Sequence, residues 1–91
     1  AAATCDLTGI AAPTDGEVVV RFVNASNAPA VILWDNAGAP LVEYHRLDPG
    51  ATVDQETYIG HVWIVQDEEG NELLVHTATD AVAQCAVIPQ P

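Results

Sequence analysis

The chain divides into seven short strand-like runs, several with apolar residues at every second position, set off by turn signals. That pattern most constrains what the chain can fold into. Glu17 to Val23 alternates around Val18, Val20 and Phe22, with Arg21 on the other face. Ala30 to Trp34 is a second run, after the breaker Asn27-Ala28-Pro29, and Asp35-Asn36-Ala37-Gly38 reads as a hairpin turn. Leu41 to Leu47 ends at Asp48-Pro49-Gly50, where proline sets φ and glycine is free to take a positive value. Thr52 to Tyr58 and His61 to Gln66 follow; Asp67-Glu68-Glu69-Gly70-Asn71 is a turn, and Glu72 to His76 and Ala83 to Ile88 complete the set. No segment keeps a 3.6-residue period for long. Seven strands with regular turns predict an all-β domain, an antiparallel sandwich or small barrel without a long helix, its sheets joined by the 35–38, 48–50 and 67–71 turns.

The chain has 91 residues, enough for one domain spanning 1–91 and too few for two cores. Its 13 acidic residues against two arginines and no lysine leave a formal charge of −11. Such a surface repels phosphate backbones and anionic lipid, which excludes nucleic-acid binding and electrostatic membrane docking. No apolar run approaches a membrane span.

The two cysteines, Cys5 and Cys85, stand near opposite ends. If paired, they close a loop of about 80 residues, which the chain-entropy model values at roughly 4–5 kcal/mol; two unpaired buried thiols are the alternative. Such staples persist in oxidising compartments, and Ala1-Ala2-Ala3 resembles a mature end left by signal-peptide removal. The expectation is therefore an exported protein, secreted or periplasmic, with Cys5 and Cys85 joined.

Aromatic residues make up only 5% of the chain, so their placement matters. Trp34 stands at the end of the second run and Tyr44 within the third; Tyr58, His61 and Trp63 crowd around Gly60. By alternation His61, Trp63 and Val65 share one face, and Tyr44 shares a face with Val42 and Arg46 while His45 faces away. If Trp34, Tyr44 and Trp63 converge, they form an aromatic box suited to a compact saturated ring. A polar substituent on that ring could then meet His61 and the Thr57 hydroxyl. The alternative, which composition alone favours, is that both tryptophans fill the core and His61 is a surface residue.

Other motifs carry less. Asp67 to Asn71 lacks the alternating ligand pattern of a calcium loop and reads as a solvated hairpin tip. Nothing favours a zinc site at His45, His61 and His76. No nucleophile motif or phosphate loop is present, so neither an enzyme nor a cofactor is expected. Asn24-Ala25-Ser26 reads as a glycosylation acceptor wherever the host modifies such sites.

Several blocks in register, Val19-Val20-Arg21-Phe22-Val23-Asn24, Val31-Ile32-Leu33-Trp34-Asp35, Tyr44, Leu47-Asp48-Pro49-Gly50 and Thr57-Tyr58-Ile59-Gly60-His61-Val62-Trp63, resemble the β domain of the von Hippel–Lindau tumour suppressor family over about residues 17–77. The resemblance implies a seven-stranded sandwich that binds 4-hydroxyproline in an extended peptide. It implies that Trp34 lies at the pocket floor, that Tyr44 flanks the ring, that Trp63 lines it and that His61 bonds the hydroxyl or nearby backbone. Thr57 stands where the family has a serine; it keeps the hydroxyl and stiffens χ1.

The departures also carry expectations. The family's helical domain, which recruits ubiquitin-ligase subunits, has no counterpart before Pro91, so no such partner is expected. The family's groove carries basic residues, whereas this chain offers only Arg21 and Arg46, so the flanking peptide preference should differ. The sequence thus points to a monomeric, exported module that binds hydroxyproline-bearing peptides, with collagen-like or similar proteins as reachable partners. The rival is a spacer domain of a larger exported protein that keeps the sandwich without a working pocket.

Overall fold

The computed structural model describes residues 7–35 and 40–89, and these form seven strands without a helix. They are β1 (Val18–Asn24), β2 (Ala30–Asp35), β3 (Val42–Leu47), β4 (Thr52–Thr57), β5 (Val62–Gln66), β6 (Glu72–Thr77) and β7 (Ala83–Ile88). Two sheets face each other, one ordered β4-β1-β7 and the other β3-β2-β5-β6. Val20 and Phe22 from the first sheet meet Ile32, Trp63 and Val65 from the second, with Ala86 and Ile88 of β7 completing the core. The alternation legible in β1 is what aims Val20 and Phe22 inward.

Two expectations change. The sandwich is not wholly antiparallel: β1 and β7 run parallel, Arg21 standing opposite Cys85. The chain reaches β7 only after completing the other sheet, so no hairpin constrains its direction. Of the three turns expected to join the sheets, only 48–50 does so, linking β3 to β4; the 67–71 turn closes the β5–β6 hairpin within one sheet. The 35–38 turn connects neighbours of the same sheet, and its residues 36–38 lie outside the described residues. The remaining crossings are the segments 25–29, 58–61 and 78–82. Cys85 is half-buried on β7, while Cys5 lies outside the described residues.

Two crossings are built alike. At Asp48-Pro49-Gly50-Ala51 the Ala51 amide bonds the Asp48 carbonyl (3.0 Å), and Gly50 takes φ 81°. At Tyr58-Ile59-Gly60-His61 the His61 amide bonds the Tyr58 carbonyl (3.1 Å), and Gly60 takes φ 89°. Both have the hydrogen bond and third-position glycine of a type II turn. The second turn is tied down by Ala78, whose carbonyl accepts from Gly60 (2.8 Å) and whose amide donates to His61 (2.9 Å).

On the outer face of the three-stranded sheet Arg21 grips Asp54 with two hydrogen bonds, Nε to Oδ1 (2.6 Å) and Nη2 to Oδ2 (2.9 Å). The pair sits directly across β1 and β4. Its third donor, Nη1, reaches the Thr8 carbonyl (3.0 Å) and so holds the segment before β1 over this face.

Candidate functional site: an aromatic pocket between the sheets

A pocket of about 160 Å³ opens at one end of the sandwich, lined by Trp34, Tyr44, Gln55, Glu56, Thr57, Tyr58, His61 and Trp63. All five residues singled out in the sequence, Trp34, Tyr44, Thr57, His61 and Trp63, are among them. Trp34 and Trp63 are direct cross-strand partners on β2 and β5. The convergence that alternation left conditional is therefore real.

Each wall is held differently. Trp63 is buried (2% exposed) and packs edge-on against Phe22 of the opposite sheet, with ring centroids 6.0 Å apart. Its indole Nε1 donates to Thr57 Oγ1 (3.0 Å), a bond that crosses from β5 to β4. Trp34 has no such anchor: its Nε1 is buried without a partner among the described residues. Packing holds it instead, the His61 ring stacking on it at 5.4 Å and 26°. His61 lies in the turn before β5 rather than within the strand, and Tyr58, at the other end of that turn, meets it edge-on at 5.5 Å.

Tyr44 corrects the alternation argument. Ile32 stands opposite His45 and Leu33 opposite Glu43, so Tyr44 is the extra residue of a β-bulge. A bulge re-aims one side chain and shifts the face of all that follow. Tyr44 consequently turns to Trp34 (6.2 Å, 84°) and Trp63 (5.1 Å, 84°). Arg46 does not share its face. It joins Glu43, three residues back, and Glu68 at the β5–β6 tip (3.6 and 3.0 Å). Nor does His45 face away: it pairs across from the core residue Ile32, and its Nε2 lies 2.6 Å from Gln55 Oε1. Gln55 Nε2 donates to the Glu56 carbonyl (2.7 Å), which fixes the amide's orientation. Its Oε1 can only accept, so His45 carries its proton on Nε2.

Gln55, Glu56 and Tyr58 are pocket residues that the sequence reading did not assign. For Gln55 the signal was its place two residues before Thr57 on the same strand face.

Two other motifs carry hydrogen-bond networks of their own. Asn24 is fully buried, with Nδ2 bonded to the Ala28 and Leu47 carbonyls (2.9 and 3.1 Å) and Oδ1 accepting from the Ser26 amide and hydroxyl. The Asn24-Ala25-Ser26 motif is thus a structural knot, closed to a glycosyltransferase in the folded domain. At the 67–71 tip Asp67 accepts from the Glu69 and Asn71 amides and from Asn71 Nδ2. These bonds, the Asn71 side chain's foremost, hold its carboxyl below the usual carboxylate range. Among the described residues no three histidine, cysteine or acidic side chains come together as a metal site.

A two-sheet β domain with an aromatic pocket at one end, floored by a buried indole–hydroxyl bond, defines a small binding module. A family model, the VHL beta domain, matches residues 13–85, and the chain belongs to that family. No characterised protein gave a match to the sequence as a whole.

Proposed function

We propose that this domain binds an extended peptide bearing 4-hydroxyproline, with the pyrrolidine ring seated against Trp34, Tyr44 and Trp63. Proteins of the VHL beta-domain family bind hydroxyproline-containing peptides. The observation that carries the reading is the placement of Thr57 and His61 at one aromatic pocket. Thr57 Oγ1 already accepts from Trp63, so its proton is available to a ligand. A ring hydroxyl accepting that proton would donate its own to an unprotonated nitrogen of His61. A proline ring would fill the same walls and leave the Thr57 proton and the His61 nitrogen dry and without a partner.

The domain acts here as a binding module and not as an enzyme. We further propose that it works outside the cytoplasm with Cys5 and Cys85 joined; no free cysteine is found among the described residues, which supports a bonded Cys85. Hydroxyproline-rich extracellular proteins then become the accessible partners.

Calorimetric titration with matched hydroxyproline and proline peptides tests the reading. An unsatisfied buried polar group costs about 1–3 kcal/mol, so hydroxyproline should bind roughly 5- to 150-fold more tightly. Equal, weak binding of both in several flanking contexts would mean that the fold persists without this function. Mass measurement under non-reducing conditions tests the disulfide: two free thiols would refute it.

A further inference from the structure

The walls of the pocket support a second ligand class that needs no hydroxyl. Tyr44 stands at 84° to both Trp34 and Trp63, at 6.2 and 5.1 Å, and Tyr58 adds a fourth aromatic ring at the rim beside His61. These rings pack edge-to-face on one another and together line one small volume, where their exposed faces can offer π density to a compact group. The volume, about 160 Å³, is well below that of a drug-sized site and matches one ring or one head group.

The polar atoms sharpen the choice. A primary ammonium carries three N–H donors and needs acceptors for each. Thr57 Oγ1 and Gln55 Oε1 each already accept one hydrogen bond, from Trp63 and His45, which leaves fewer acceptors on these walls for three N–H groups, while the Glu56 carboxylate in the lining attracts a cation of either kind. A cation without N–H groups needs none of these acceptors, because its polarised methyl hydrogens are attracted to the ring faces. No resident cation competes through a lysine, since the chain has none. Arg21 is committed to Asp54 on the outer face of one sheet, and Arg46 to Glu43 and Glu68. The chain's charge of −11 raises the local concentration of any cation near it.

We propose that this pocket also binds a quaternary ammonium group, as carried by a free trimethylammonium compound or a trimethylated lysine side chain. The inference shares the walls of the hydroxyproline reading but not its recognition of a hydroxyl.

The test titrates the folded domain, followed by NMR, with choline and with its neutral carbon isostere 3,3-dimethylbutan-1-ol. Parallel titrations use a trimethyllysine peptide and the same peptide with unmodified lysine. Choline should bind about 2- to 30-fold more tightly than the isostere, the range expected of a cation–π contribution. Shifts should centre on Trp34, Tyr44 and Trp63. Tyr44→Leu, at an exposed position where folding is easily checked by circular dichroism, should weaken choline more than the isostere and so reduce the preference for charge. Whichever of choline and the trimethyllysine peptide binds more tightly identifies the source of the cation. Equal affinity for choline and the isostere, binding of neither, or a preference for unmodified lysine would each overturn the proposal. The hydroxyproline peptide is run as a competitor. If it binds while choline does not, only this inference falls; if choline binds while the peptide does not, the hydroxyproline reading falls alone.

Discussion

Replacing Thr57 by valine removes one hydroxyl and almost no volume, yet it should damage both stability and selectivity. Thr57 is 3% exposed and Trp63 is 2% exposed, so water cannot replace the lost acceptor. The 3.0 Å bond from Trp63 Nε1 would be broken and the indole nitrogen left buried and unpaired. That costs about 1–3 kcal/mol, and in a domain of this size each kcal/mol lowers Tm by roughly 4–8 °C. Thr57→Ser keeps the hydroxyl and loses one methyl, so it separates bond from packing. The decisive measurement is a double-mutant cycle with Trp63→Phe, read by urea denaturation. Removing both partners should cost less than the two single changes added, by about 0.5–3 kcal/mol. In the binding arm, Thr57→Val should abolish most of the preference for hydroxyproline over proline. If Thr57→Val leaves Tm unchanged and the cycle is additive, the cross-sheet bond is not what holds Trp63. If discrimination survives the substitution, the threonine hydroxyl is not the group that reads the ligand.

Three further outcomes follow from the same geometry. Arg21's hydrogen bonds hold the Asp54 carboxyl below its ordinary range, burial opposing them and the guanidinium charge adding to them. Its contribution to stability is therefore present above the unfolded carboxylate value, near 3.9, and is lost as pH falls through the lower folded-state value. Urea midpoints at pH 7, 4 and 2.5 should accordingly fall less steeply for Asp54→Asn than for the parent; parallel slopes would remove the pair from the acid response. Asn24→Ala should destabilise the domain by about 1–3 kcal/mol in the same assay, because it removes the donor to the Leu47 carbonyl and the acceptor of the buried Ser26 amide. Folded protein offered to a glycosylating enzyme should gain no mass at Asn24, and a glycosylated folded product would contradict the burial. Gly60→Ala meets no atom within 4 Å but holds φ +89°, so strain alone should cost about 1–2 kcal/mol. The same change should weaken peptide binding by displacing His61, and unaltered affinity would show that the turn does not position the imidazole.

Much of the fold was legible locally. Period-two alternation names strands because successive side chains point to opposite faces, and Asp48-Pro49-Gly50 names a turn because proline and glycine set its dihedrals. The aromatic and polar residues of the pocket were legible as types at spacings, and the blocks that carry the family resemblance contain them. Tertiary structure decided the rest. Alternation states which residues share a face of one strand; it is silent on which strands become neighbours, so β7 lying parallel to β1 was not visible. One extra residue inverts alternation from that point on, and nothing in Val42 to Leu47 marks Tyr44 as that residue. The bulge appears only when β3 is laid against β2. It sends Tyr44 into the pocket, returns His45 to the inner face and puts Arg46 beside Glu68. The same holds for the polar groups. Thr57 reads from its position as a free ligand group, and Asn24 as a modification acceptor. Their hydrogen-bond partners, Trp63 on the opposite sheet and Leu47 at the end of β3, are 6 and 23 residues away. A hydrogen bond is a relation between two places in space, and only the packed sheets bring those places together.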